Sequence, residues 1–355
     1  MAPERPDLSQ ASPAIRAYIE ELEAELRRYR QPRQTHGYMT PPPETRGEEV
    51  ESPGVSEPPT TLNLVTASAL GAIKRSPRHL YLRQRRGGMG VFDLETRGDD
   101  TPALLAIADE SQSLLIFTNW ARVFRLPMSK LAESAVRSRG ESLSERLDFE
   151  PGETPVCLLP AQASGYVALV SQSGMVRCLR HHLFGEYLKP GTVLFNPHEN
   201  GQLVTACWSP GDGDLLLVTR AGLAIRFSEK QIPPKGETGI RLSADDQVAA
   251  ITPVDEDSSV FILGADGKGA LRLMKGFAPN KSPGGSGKLA MKAGKVAAAL
   301  TVEPGDDVFI LTRLGKLIRF HADEVAASEG VVQGVNCISL RADEVVYAAR
   351  GAPLP

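Results

Sequence analysis

"LLLVTRAGLAIRF" spans residues 215–227 and "VFILTRLGKLIRF" spans 308–320. Each is an apolar run, a break containing glycine, and a second apolar run that carries an arginine. Runs this short, bounded by turn residues, read as two paired strands. The texture recurs in "LVTASALGAIKR" (64–75), "LLIFTNWARVFR" (114–125), "ALVSQSGMVRCLR" (168–180) and "VFILGADGKGALRLM" (260–274). The turn residue is Gly71, Ala121, Gly174, Gly222, Gly267 or Gly315, at intervals of 50, 53, 48, 45 and 48 residues. A second apolar run precedes the units: "ALLAIA", "PVCLLP", "LVTACW", "QVAAIT" and "VAAALTV". That gives at least three strands per repeat, with room for a fourth. A multi-stranded repeat of about this length builds a radially closed, bladed architecture. The expectation is an all-β, six-bladed ring over residues 61–350.

The region before the repeats differs in composition. "SPAIRAYIEELEAELRRYR" (12–30) predicts an amphipathic helix: Ser12 caps, Pro13 suits the first turn, and Ile15, Ile19, Leu22, Leu26 and Tyr29 form one stripe. Such a short helix is marginal alone, so it is expected to self-associate or to dock on a partner. Residues 31–60 are dominated by proline, glutamate and glycine and are expected to be a disordered linker. Residues 1–60 hold eleven acids against seven Lys or Arg.

The 355-residue chain carries net charge -3 and has no apolar run long enough for a transmembrane helix. "MAPERPDLSQ" lacks the apolar core of a secretory signal, so the expected setting is cytoplasmic. Cys157, Cys178, Cys207 and Cys337 are widely spaced and read as reduced thiols. No phosphate-cradling Walker loop, nucleophile elbow or H-E-x-x-H is present. His181 and His182 lack spaced partners, and the Asp pairs at 99–100, 245–246 and 306–307 suit turns. The residues offer no catalytic group, no metal site and no cofactor site.

Positive charge is placed unevenly. Lys74 and Arg75, Arg122 and Arg125, Arg177 and Arg180, Arg226, Arg272 and Lys275, and Arg319 recur on the second strand of each hairpin or at its end. In a closed ring, equivalent positions lie around one circumference, so these residues are expected to form a basic belt that contacts the phosphates of a duplex. Lys281, Lys288 and Lys292 lie among glycines in "KSPGGSGKLAMKAGK". Arg78 and Arg83 lead into "QRRGGMG" (84–90), and no acid occurs from Leu62 to Gly90. Both stretches suit loops where backbone N–H groups and basic side chains meet phosphate.

"QRRGGMG" resembles the box Q-R-R-G-G-K-G of the DNA gyrase A C-terminal domain, and the repeats are similar to that family's blades. The resemblance covers residues 61–350. It implies a six-bladed β-pinwheel with strands exchanged between neighbouring blades, and sequence-nonspecific binding and wrapping of double-stranded DNA around the rim. It also implies that the box, Gln84, Arg85, Arg86, Gly87, Gly88, Met89 and Gly90, joins the first blade to the last. Met89 stands where the box has lysine, and Ala121 where a blade has glycine. The gyrase catalytic modules find no counterpart in this sequence, so the expectation is a non-enzymatic architectural protein or an in-trans wrapping partner of a type II topoisomerase. The alternatives are a protein-interaction scaffold and the non-catalytic tail of a split gyrase A polypeptide.

Overall fold

The computed structural model describes residues 57–331 and 333–354. The helix expected at 12–30 and the linker through residue 56 lie outside the described residues. Residues 57–60, at the end of the expected linker, are described, and Glu57 is ion-paired there.

Six antiparallel hairpins supply the two middle strands of six blades: 62–68 with 72–77, 113–118 with 122–127, 166–171 with 175–180, 214–219 with 223–228, 259–264 with 268–273, and 307–312 with 316–321. Their first strands are almost continuously apolar, because each blade is covered on both faces by its neighbours. Leu215, Leu216, Leu217 and Val218, for example, are all fully buried.

The turns share one chemistry. The turn residue's N–H donates to the main-chain oxygen three residues back, as from Gly222 to Thr219 (3.0 Å) and from Ala121 to Thr118 (2.9 Å). In four blades the Ser or Thr hydroxyl at that position also accepts the next N–H, as Ser68 does from Ala72 (2.8 Å). All six turn residues have positive φ, Ala121 at 54° among them.

The innermost strands are 102–109, 155–160, 203–209, 248–254, 296–302 and 345–351. Five of them contain the runs noted before each repeat. Their pairing corrects that reading: each bonds to the hairpin that precedes it and so completes the earlier blade. A register shift at the turn end of this pairing recurs in all six blades and bends the strands where they converge. Small residues dominate these strands ("VAAITPV", "VAAALTV", "VVYAARG"), since six strands meeting at one axis leave little room. Each packs against the next, 345–351 against 102–109 included, so the ring is closed.

The outermost strand of each blade comes from the segment after the following blade's hairpin. Residues 141–142 join blade 1, 192–193 blade 2, 237–238 blade 3, 288–289 blade 4 and 327–328 blade 5. Blade 6 takes residues 91–92, from beyond the first hairpin. The exchange is therefore cyclic. Instead of one core there are six, each between two blades; the seam of blades 6 and 1 buries Leu64, Tyr81 and Leu105 against Phe309, Leu311 and Leu317. The four cysteines are free thiols.

Candidate nucleic-acid interface

The box is built as a clasp. The Gln84 N–H donates to the Arg319 oxygen (2.7 Å), the Gly87 N–H to the Cys337 oxygen (2.8 Å), and the Ser339 N–H to the Gly88 oxygen (2.9 Å). Val91 and Phe92 then pair with Leu317 and Lys316 as the outer strand of blade 6. Glycine is required here: Gly90 has φ 67°, and a Cβ on it would lie 2.7 Å from the Leu317 oxygen. Arg86 donates through Nε to the Glu324 oxygen (2.9 Å) and through Nη1 to the Asn336 oxygen (3.2 Å). Arg83 pairs with Asp307 (2.9 Å). Gln84, Gly87, Gly88 and Gly90 are half-buried. Arg85 and Met89 project into solvent.

The recurring arginines serve a different purpose from a surface belt. Four residues past the turn stand Arg75, Arg125, Arg226 and Arg319 in blades 1, 2, 4 and 6. Each reaches across the seam to the main-chain oxygen ten residues past the next blade's turn. Arg75 donates to Leu131 (2.7 Å), Arg125 to Phe184 (2.8 Å), Arg226 to Phe277 (3.3 Å) and Arg319 to Tyr81 (3.2 Å). They fasten neighbouring blades, and the last one closes the ring.

Arg226 and Arg319 are buried and also pair with Asp214 and Asp307. Lys74 is buried against Asp93 (2.8 Å), and burial lowers its pKa more than that carboxylate restores it. Arg78 is buried against Glu57 (2.9 Å), and Arg272 is buried over the Phe277 ring. Burial removes Lys74, Arg78, Arg226, Arg272 and Arg319 from any surface contact with phosphate, which corrects the belt expected from the sequence. Arg122 is held by Glu153 (2.6 Å), and Arg177 by the oxygens of Pro234 and Leu194. Arg180 is exposed beside the Tyr166 ring, and Lys275, Lys281, Lys288 and Lys292 are exposed.

A second set of cations lies on the exchanged segments that form the rim. Arg85 occupies the segment reaching blade 6; Lys130 and Arg139 that reaching blade 1; Lys189 that reaching blade 2. Lys235 and Arg241 flank the outer strand of blade 3, and Lys281 and Lys288 belong to the segment of blade 4. All eight are exposed, and none has an ion-pair partner among the described residues. The segment reaching blade 5, residues 325–336, has no Lys or Arg and contains Glu329. Lys130, Arg139, Lys189, Lys235 and Arg241 escaped the sequence reading because they follow the hairpin strands instead of standing in them. Their signal is distance from the turn: every rim segment begins about ten residues after it.

Acidic residues stand at the open ends of the hairpins (Asp109 and Glu110, Asp212 and Asp214, Asp255, Glu256 and Asp257, Glu303 and Asp306) and at the turns, where Asp100, Asp246 and Asp343 accept the N–H groups of Leu70, Ala221 and Leu314. The rim segments carry exposed acids as well, Glu133, Glu186 and Glu237 among them, so the unpaired cations stand on a rim of mixed sign. Among the described residues no group of three or more His, Cys, Asp or Glu is placed to hold a metal ion, and no helix is long and apolar enough to cross a membrane.

A family model described as "DNA gyrase C-terminal domain, beta-propeller" matches residues 62–101, 213–255 and 306–349. The A subunit of DNA gyrase from Mycobacterium leprae (strain TN) is 28% identical over 304 residues, covering 81% of this chain and 24% of that protein. Its counterpart from Chlamydia trachomatis serovar D is 27% identical over 301 residues, covering 80% of this chain and 36% of that protein. The chain therefore spans between about a quarter and a third of these curated relatives. A solved DNA gyrase A C-terminal domain superposes with TM-score 0.73 at 18% identity, covering 82% of this chain and all of that one. The C-terminal domain of DNA topoisomerase IV does so with TM-score 0.57 at 17% identity, covering 81% of this chain and 93% of that one. Blade count, cyclic strand exchange and these likenesses agree: the β-propeller of this chain has the fold of the DNA gyrase A C-terminal domain and is similar in sequence to that family.

Proposed function

We propose that the propeller binds double-stranded DNA along its rim without reading sequence, and bends the duplex around itself. The observation that carries this reading is the set of eight exposed, unpaired cations on five of the six exchanged segments. Cations free of carboxylate partners need break no ion pair when they meet phosphate, and each contact releases counterions. Residues 267–302 contain no acid, so Lys281 and Lys288 have none beside them along their own segment. The duplex path runs from the box at blades 6 and 1 through blade 4 and ends at residues 325–336, where the positive charge stops. Bending about 20–30 bp costs roughly 1–6 kcal/mol, so contacts on several blades must act together.

The clasp gives the box a structural part in this function. Closure fixes the spacing of neighbouring blades, and that spacing sets the curvature imposed on DNA. In this reading the protein acts as an architectural factor or as a wrapping partner of a type II topoisomerase.

The test is a topology assay. Closed circular DNA is incubated with the protein and a nicking–closing enzyme, then stripped and scored for linking number. A shift of one sign that grows with protein per circle is expected. An unchanged linking number at low salt with excess protein refutes wrapping.

A further inference from the structure

The seam between blades 3 and 4 lacks the arginine that fastens four others. Cys178 stands at that position, and in blade 5 the same position is Leu271. The two seams without arginine are finished differently. Leu271 packs into an apolar cluster with Phe261, Phe320 and Val325, which fills its seam. Beside Cys178 a cavity of about 450 Å³ remains, lined by Tyr166, Arg180, Glu229 and Ile232 among others. Ile232 is ten residues past the turn of blade 4, where Leu131, Phe184, Phe277 and Tyr81 accept their arginines. No hydrogen bond reaches its main-chain oxygen among the described residues.

Glu229 makes the cavity chemically specific. It is only 4% exposed, and neither carboxylate oxygen has a hydrogen-bond partner among the described residues. In three other blades the equivalent position, seven residues past the turn, holds buried Met128, Met274 or Ala322. A buried carboxylate without a donor is destabilising, so it adds nothing to the fold where an apolar residue serves elsewhere. Burial is the main cause that raises the Glu229 pKa, and Asp212 adds to it; the nearby Ser209 hydroxyl and Gly211 N–H oppose the rise without cancelling it. Arg177 is committed to the Pro234 and Leu194 oxygens, and Arg180 lies 5.9 Å from the Tyr166 ring centroid.

We propose that this seam is a binding site for a guanidinium group, which enters where blade 3 has no arginine and donates to the Glu229 carboxylate and the Ile232 oxygen. A planar, weakly hydrated guanidinium matches a carboxylate as a fork and suits the aromatic wall of Tyr166. Arg180 and exposed Lys230 at the mouth favour a ligand whose other end is anionic. The ligand class is therefore an arginine with a free carboxylate, either the amino acid or the C-terminal residue of a peptide. This inference does not depend on DNA binding.

Titration calorimetry on the full chain tests it with L-arginine, acetyl-glycyl-arginine and L-lysine. Saturable binding of L-arginine or the peptide is expected, and whichever binds identifies the source. Glu229→Gln should weaken it by about tenfold or more, the scale of a hydrogen bond to a charged group. Cys178→Arg should abolish it by filling the seam from within, while its melting temperature stays level or rises, which shows that the fold is intact. Absence of saturable binding by the unaltered protein overturns the proposal. So does equal binding of lysine, or binding that survives in both variants.

Discussion

Arg319 in the last blade donates to the main-chain oxygen of Tyr81 in the first, 3.2 Å away, and thereby fastens the two ends of the repeat array. The same guanidinium pairs with Asp307 and Glu57, and Glu57 also holds Arg78. Ring closure thus rests on a buried charge network as well as on the exchanged strand 91–92. The arginine that repeats around the ring acts at this seam as a lock.

Replacing Arg319 by leucine leaves buried Asp307 and half-buried Glu57 with fewer partners. Breaking a buried pair by removing one member costs about 3–5 kcal/mol. Urea denaturation should show destabilisation on that scale, with hydrogen exchange rising first in 78–92 and 316–321. A change below about 1 kcal/mol, the worth of an exposed pair, would contradict the lock.

The turn residues predict a contrast. Gly315 has φ 81°, and a Cβ there would lie 2.7 Å from the Leu94 oxygen. Gly315→Ala should cost about 1–3 kcal/mol from backbone strain, with displacement of the exchanged segment added. Ala121→Gly should change stability by less than about 1 kcal/mol, because relief of a left-handed alanine offsets removal of one buried methyl. Paired denaturation curves of the two variants check this.

Rim cations and seam arginines should separate in DNA binding. Lys281→Gln with Lys288→Gln should lower the slope of log affinity against log salt by about 0.9 for each phosphate no longer neutralised. Met89→Lys, which adds a cation beside Arg85, should raise it. Arg125→Gln, at a seam, should reduce stability and leave the slope unchanged. Fluorescence anisotropy across a salt series reads all three, and an unchanged slope in the lysine double variant refutes the proposed rim path.

Acid should loosen the seam of blades 6 and 1. Burial alone would raise the Glu57 pKa, but hydrogen bonds from Arg78 and Arg319 and their charges outweigh it and hold the carboxyl below 4.5. A carboxyl depressed in the folded state contributes stability above its unfolded pKa and loses it as pH falls through the folded value. The stability difference between the unaltered protein and Glu57→Gln should therefore be full at neutral pH and shrink below pH 4.5. A difference that stays constant down to acid would show that Glu57 does not stabilise the seam through its charge.

The blades themselves were legible in the sequence. Gly71, Gly174, Gly222, Gly267 and Gly315 punctuate apolar runs at a steady interval, and a turn that needs positive φ leaves a mark no side-chain pattern erases. Local chemistry also marked the box, since its glycines are required wherever backbone passes close to backbone. Two things depended on tertiary structure. The apolar run before each hairpin belongs to the blade behind it, because strand pairing is decided by packing at the axis and not by proximity in the chain. The direction of each arginine was equally hidden. Alternation along a strand tells inside from outside only when one face meets water, and here both faces of the middle strands are covered by neighbouring blades. Arg226 and Arg319 therefore turn into the seams, while Lys130, Arg139 and Lys235, on the exchanged segments at the rim, remain in solvent.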